Sequence, residues 1–431
     1  MNNVQSLLLQ IIGAALFGGD MPVVDEPYIE PLLKESKSQA VYSLLFNVLE
    51  SQIKSVLSGE KAEQYSEMNL MHAIACTRNF DEHGELHELM TSCQIPYVVI
   101  KGLASAMYYS EPSLRNMGDV DFLVDPSDMT RAGEVLEQAG FAIDHGDEDD
   151  GIHVAYTRPP MSIWEMHRSV NGVPSGEIGK LIEAEVGRTI ETAVEKTCDG
   201  VLCRVPDRFH HGLIMLLHTA SHLTSEGVGL RHLCDWVVFV SDLSDAEFRE
   251  IFEKKLKEFG LWKFAQVLTL LGIKYLGAPK RVWAIEAIER KEVSSEQLES
   301  LMNDILSGGN FGFKDMNRYR EIKYISDRGE RTVSSDGIIK QGFRTLNKKV
   351  FEDYKAIDKH RFLLPIGYLA EGGKYIGLLI TGRRKSSGTK QMLKEAAQRQ
   401  KVYGSMRLFE RSTLVGARLS IMRRELSILS A

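Results

Sequence analysis

Apolar residues recur at helical spacing through residues 4–92: Leu7-Leu8-Ile11-Ile12-Leu16, then Val41-Leu44-Leu45-Val48-Leu49-Ile53, then Met68 to Met90. Pro22, Pro27 and Pro31 punctuate the first gap and Ser58-Gly59 the second, so the pattern predicts a segmented helical lead-in. The period then changes. Val98-Val99-Ile100 is a short β-branched run that predicts a buried strand ended by Lys101-Gly102, and Leu103 to Tyr109 has the composition of two helical turns. Asp119 to Val124 predicts a second strand, and Pro126 to Gly140 a helix capped by Asp125 or Ser127. Phe141 to Asp144 and His153 to Arg158 predict two more strands. Between them the loop from Asp144 to Asp150 packs five acids into seven residues and reads as a solvated turn. In Ser162 to Val170 alternation puts Ile163, Glu165 and His167 on one face and Trp164 and Met166 on the other. The turn Arg158-Pro159-Pro160-Met161 makes residues 153–168 a hairpin. Beyond Gly172 the chain reads as mostly helical, and Pro206-Asp207 opens a helix through HHGLIMLLHTASHL.

One short stretch concentrates the chemistry. Asp119 and Asp121, two apart on a strand, point the same way, and two carboxylates that close repel unless a proton or a cation intervenes. Hard oxygen ligands fixed by a strand suit Mg²⁺, and Glu165, an acid inside an apolar strand, gains a partner if it faces the same cation. Neutralising Asp121 is then expected to relieve repulsion and leave the apo protein at least as stable. Gly102, between strand and helix, lets a ligand approach the backbone, and the N–H groups of the following helix favour a triphosphate. Ser105 offers a hydroxyl, Lys101 a cation, and Arg115 a guanidinium that steadies a phosphate or orients Asp119 or Asp121.

Other histidines weigh less. His72, His83 and His87 fall on charged helical segments and read as solvated. His211, Ile214, His218 and His222 share a helix face, but HTASH lacks the glutamate of H-E-x-x-H, and an adjacent His-Asp pair of a phosphohydrolase is absent. Leu230 to Asp235 reads as the back wall of a cleft, mainly structural. Gly308 to Gly312 reads as a hinge or turn. Five scattered cysteines without C-x-x-C argue against a disulfide framework or a zinc site and fit a reduced, cytoplasmic protein. Leu7 to Phe17 lacks a basic start, and no apolar run reaches transmembrane length.

Net charge of −7 hides an asymmetry. Residues 331–431 hold 21 Lys and Arg against 8 Asp and Glu, +13, leaving −20 on residues 1–330. The basic region, including Arg383-Arg384-Lys385 after the apolar Tyr375 to Ile380, calls for an anionic partner or packs on its own acidic body.

Taken in order, K-G-x-A, Arg115, G-D-V-D-F-L-V and W-E-M-H resemble the DNA-polymerase-β-like nucleotidyltransferase superfamily. More narrowly they resemble the bacterial family of uncharacterised nucleotidyltransferases, and more distantly the abortive-infection toxin nucleotidyltransferases. The likeness covers roughly residues 90 to 240, and it departs from the superfamily's adjacent Gly-Ser, because Leu103 follows Gly102. It implies an α+β fold: a nucleotidyltransferase-type mixed sheet core flanked by N-terminal and C-terminal helical regions. The expected division is 1–92 helical, 93–172 catalytic, 173–310 helical and lining the cleft, 311–431 basic and mainly helical. The implied activity is transfer of NMP from an NTP such as ATP to an acceptor, with release of pyrophosphate. Asp119, Asp121 and Glu165 would be catalytic and bind two Mg²⁺ (Mn²⁺ as substitute), and Lys101, Gly102, Ser105 and Arg115 would bind nucleotide. The acceptor stays open among a small molecule, a protein side chain and an RNA end. A non-catalytic nucleotide-binding or interaction protein on the same fold is the alternative.

Overall fold

A computed structural model describes residues 1–144, 151–312, 314, 326–327, 332–333, 338–354, 357, 360–380 and 389–410. The acidic-loop residues 145–150 and the basic triplet Arg383-Arg384-Lys385 lie outside them.

The helical lead-in is four helices: α1 (Asn3–Phe17), α2 (Glu26–Ser38), α3 (Tyr42–Val56) and α4 (Gly59–Ser92). α1 starts with a reciprocal cap between Asn2 and Gln5, and its Leu8, Leu9, Ile11 and Ile12 are buried. A five-stranded sheet follows, built from β1 (Tyr97–Val99), β2 (Val120–Val124), β3 (Ala142–Ile143), β4 (His153–Thr157) and β5 (Trp164–His167) in the order β1-β2-β5-β4-β3. β2 runs antiparallel to β1 and parallel to β5, and β4 pairs antiparallel with β5, which forms the expected hairpin.

Alternation divides the sheet cleanly. Val120, Phe122 and Val124 of β2, Tyr97 and Val99 of β1, and Trp164 and Met166 of β5 enter one core with Phe80, Leu86 and Met90 of α4. Ala132 and Leu136 of α6 (Met129–Gln138) close that core. On the opposite face Val98 and Leu123 join a larger core running from Leu8 to Phe409. That face also carries Asp121, Glu165 and His167. It is covered by α8 (Arg208–Leu223) and α9 (Leu230–Ser241), which follow α7 (Gly176–Val186), and the space left between sheet and helices is the cleft.

Four local expectations change. The helix after Gly102, α5 (Leu103–Ala106), is a single turn, and α6 starts at Met129 because Asp125 instead holds the N–H and hydroxyl of Ser127 in a turn. The segment after Gly172 also contains a hairpin, β6 (Val194–Cys198) with β7 (Val201–Val205), whose β7 packs on α4 and β1. His83 is buried, not solvated. Towards the C-terminus three helices are described, Ile338–Asp353, Leu364–Ile380 and Thr389–Ser405, with a small hairpin of Ser326–Asp327 and Thr332–Val333. Among the described residues no helix is long and apolar enough to cross a membrane. All five cysteines are free thiols.

Candidate active site

The in-register pairing of β2 with β5 sets Asp121 opposite Glu165. Both side chains face the cleft, about 380 Å³ in volume, which Asp119, Lys101, Gly102, Ser105 and Arg115 also line. All seven sequence-predicted residues therefore stand in one cavity.

Asp121 is buried and anchors the site. Its Oδ1 accepts from Lys101 Nζ at 2.6 Å and lies 3.0 Å from His167 Nε2, which is also 3.3 Å from Glu165 Oε2. Burial pushes the Asp121 carboxyl up, but the Lys101 ammonium and His167 outweigh it and hold the group well below the usual carboxylate range. Lys101 is desolvated too, yet Asp121 and Glu165 raise it above the ordinary lysine value. His167 is raised against its own burial by bonds to both acids. The oxygens of Asp121 and Glu165 and a ring nitrogen of His167 lie within 4.8 Å of one another, a spacing able to hold a metal ion.

Asp119 sits just before β2, open to solvent on the cleft's lip. The protein wall beside it, then Asp121 and Glu165, push its carboxyl up to about 6. Like charge thus falls on Asp119, while Asp121 is already neutralised by Lys101. Neutralising Asp121 would relieve the repulsion it exerts on Asp119, as expected, but it would also break the pair that Asp121 makes with Lys101, so a gain in stability no longer follows.

α4 pins the scaffold around these acids. Asn79 Nδ2 donates to the Gly118 carbonyl at 2.9 Å, directly before Asp119. Buried Glu82 accepts from Trp164 Nε1 at 3.1 Å and from the Ser162 N–H at 3.0 Å, fixing the start of β5. The His83 ring, tied to the Asn79 carbonyl at 2.6 Å, lies under Gly102. Gly102 takes φ +56°, which suits glycine, and a Cβ there would stand 3.6 Å from the Asp119 carbonyl and 3.7 Å from the His83 ring. The helix dipole expected behind Gly102 is reduced to α5's single turn, and the N–H groups of Ala104, Ser105 and Ala106 already bond the carbonyls of Lys101 and Gly102.

Arg115 holds neither aspartate. Its Nε and Nη2 donate to the two oxygens of Asp235 at 2.8 Å each, and the Tyr109 hydroxyl donates to the same carboxylate at 2.8 Å. This buried fork ties the loop before Asp119 to α9. Sequence reasoning missed two contributors: His167, seen on the correct face without a role, and Phe311, which reaches the cleft from a turn read as a hinge; Asp235 it placed at the back of the cleft, but without its partner, which lies 120 residues away. The H-x-x-x-H of His218 and His222 was the one signal for a further cluster at the cleft's back, where His232 joins them.

A mixed sheet carrying D-x-D and a parallel-strand glutamate, flanked by helices, defines a protein of the nucleotidyltransferase class. The sequence profile of the uncharacterised nucleotidyltransferase family matches residues 25–277, more than half of the chain, and the chain belongs to that family. Among curated proteins none matches it.

Proposed function

We propose that the protein is a metal-dependent nucleotidyltransferase that moves an NMP from an NTP to an acceptor hydroxyl and releases pyrophosphate. The observation that carries this reading is the in-register pairing of Asp121 with Glu165, facing a cleft also lined by Asp119, Lys101 and Ser105. Asp119, Asp121 and Glu165 would hold Mg²⁺, two ions with Mn²⁺ able to substitute, and the donor set fits: Asp121 and Glu165 lie with His167 within 4.8 Å of one another, and Asp119, raised by burial and then by both acids, lines the same cleft. Such ions, when bound, neutralise phosphate charge and stabilise the attacking and leaving oxygens of an in-line displacement.

The chain's own groups do the rest. Lys101 keeps Asp121 charged and in place, and offers the same ammonium to a phosphate. Gly102 leaves its backbone open to close approach, and Ser105 adds a hydroxyl on the same wall. Arg115, immobilised by Asp235, keeps the loop carrying Asp119 in register. Glu165 faces the cleft at the strand's edge and takes the proton of the acceptor hydroxyl.

Labelled NTPs offered one at a time with a cell lysate should give Mg²⁺-dependent pyrophosphate release and a labelled acceptor, both lost in Asp121→Asn. A second reading has a specific observation behind it: Lys101 already saturates one Asp121 oxygen at 2.6 Å, as in a fold that binds nucleotide without transferring it. That reading predicts nucleotide binding with no pyrophosphate from any NTP.

A further inference from the structure

Across the cleft from the acids stands a cluster the proposed reaction does not use. His218 and His222 lie four apart on α8, on one face one turn from each other, and His232 enters from the first turn of α9. Their ring centroids are 4.3 Å (His218–His222), 5.5 Å (His218–His232) and 5.3 Å (His222–His232) apart, and one nitrogen from each ring lies within 4.8 Å of the others. His232 is 5% exposed, and both of its ring nitrogens lack a hydrogen-bond partner, as does Nδ1 of His218, while Nδ1 of His222 has Glu226 Oε2 beyond hydrogen-bond reach at 3.6 Å. Three imidazoles with idle nitrogens converging on a wet cavity are costly unless something fills the gap between them.

We infer that His218, His222 and His232 form a second metal site, for a borderline-soft divalent ion of the Zn²⁺ class, with its fourth position open to the cleft. Neutral nitrogen donors select Zn²⁺ over Mg²⁺, whereas the carboxylates across the cleft select the reverse. The spacing suits it: with Zn–N near 2 Å and tetrahedral angles, centroids of three ligating imidazoles stand about 5 Å apart. Two of the three separations already match, and side-chain rotation opens the closer pair. Two of the rings, His218 and His232, are held toward the neutral form that a metal requires. Burial first, then its neighbours His222 and Lys101, hold His218 well below the ordinary histidine value, and burial with His222 and Arg231 does the same for His232. The charges around the triad oppose each other: Arg231 and Lys101 against Glu226, whose Oε2 is 3.6 Å from His222 Nδ1, and Asp121. Phe311 covers the outer side, with its ring 4.9 Å from His222 and 5.6 Å from His232. The site is open toward the cleft, an arrangement that leaves a coordination place for water or substrate.

The full-length chain, stripped with chelator and titrated with Zn²⁺ by calorimetry in excess Mg²⁺, should take up one tight equivalent. Co²⁺ in its place should give the visible absorption of a nitrogen-liganded ion. His222→Gln, at a half-buried position that tolerates change, should weaken Zn²⁺ at least as much as loss of an outer-shell partner does, roughly 10- to 100-fold. His218→Gln provides the same test from the other side of the pair. Asp121→Asn should keep the Zn²⁺ equivalent. Zn²⁺ uptake that survives both histidine variants, that disappears with Asp121→Asn, or that is absent from the parent protein, overturns the inference. None of these readouts depends on whether nucleotidyl transfer occurs.

Discussion

At Asp121 one carboxylate oxygen serves both Lys101 and His167, and this fixes what single changes there will do. Asp121→Asn should abolish transfer and also leave Lys101 without its direct partner. Removing one member of a buried pair costs roughly 3–5 kcal/mol, and discounting for Lys101's partial exposure leaves about 2–3 kcal/mol in chelator. Asp119→Asn should do the opposite to stability, raising the melting temperature in chelator while still removing activity. Equal melting temperatures for the two variants would count against this division of charge. Glu165→Gln should cut turnover by orders of magnitude with NTP affinity little changed, measured by single-turnover kinetics beside equilibrium binding. The D-x-D and Glu165 could be read in the sequence because strand alternation alone decides which way they face. The burial of His83 could not, since its partners Asn79 and Gly102 come together only through the packing of α4 on the sheet.

Among the elements, α4 does more than cover the sheet. Its Glu82 satisfies the indole N–H of Trp164 and a backbone N–H at the start of β5, and both donors are stranded if that carboxylate is removed. Glu82→Ala should therefore cost about 2–4 kcal/mol, read as a lower urea midpoint at unchanged slope, and should lower activity by loosening Glu165. A full-strength enzyme with a parent-like midpoint would remove α4 from the scaffold argument. The central strands were legible because they are short apolar runs with a single acid at a fixed parity. The hairpin β6–β7 was not, because Val194 to Lys196 are exposed and Glu195 and Lys196 mask the pattern. α5 read as longer than it is: chain composition extends a helix that the turns after Ala106 stop.

For the molecule as a whole, acid should be the weak side. Burial is the main reason that His83 and His211 are each pulled down to about 4. Between that value and the unfolded histidine value near 6.5 the unfolded chain binds protons the fold refuses, so this stability is present above about pH 6.5 and is lost as pH falls. Each group can contribute at most about 3 kcal/mol to the loss. The urea midpoint should drop steeply from pH 7.5 to pH 5, and His83→Gln should flatten the slope; a midpoint flat over that range argues against it. The charge balance of +13 on residues 331–431 makes a second whole-molecule prediction. If that region grips a nucleic-acid acceptor, bulk tRNA should shift in a gel at low salt and release steeply as salt rises, and reversing Arg383, Arg384 and Lys385 to glutamate should abolish the shift. A destabilised triple variant with no shift in the parent instead points to the basic region neutralising its own acidic body.

The contact of α1 with the helix Trp262–Leu276 has a bearing on how the chain is made. A Cβ on Gly13 would stand 2.4 Å from the Leu276 carbonyl, so the two backbones touch and leave no room for anything between them. The side of α1 around Gly13 is thus synthesised some 260 residues before this partner, whereas α2 and α3, which also pack on α1, follow it directly. At ribosomal rates that is a wait of roughly 15 to 50 s. During that interval the side of the first helix that meets Trp262–Leu276 stays uncovered on the growing polypeptide, a natural contact for a holding chaperone. Nascent chains arrested before Leu276 should be cut by protease near α1, and chains arrested well past it should be protected there.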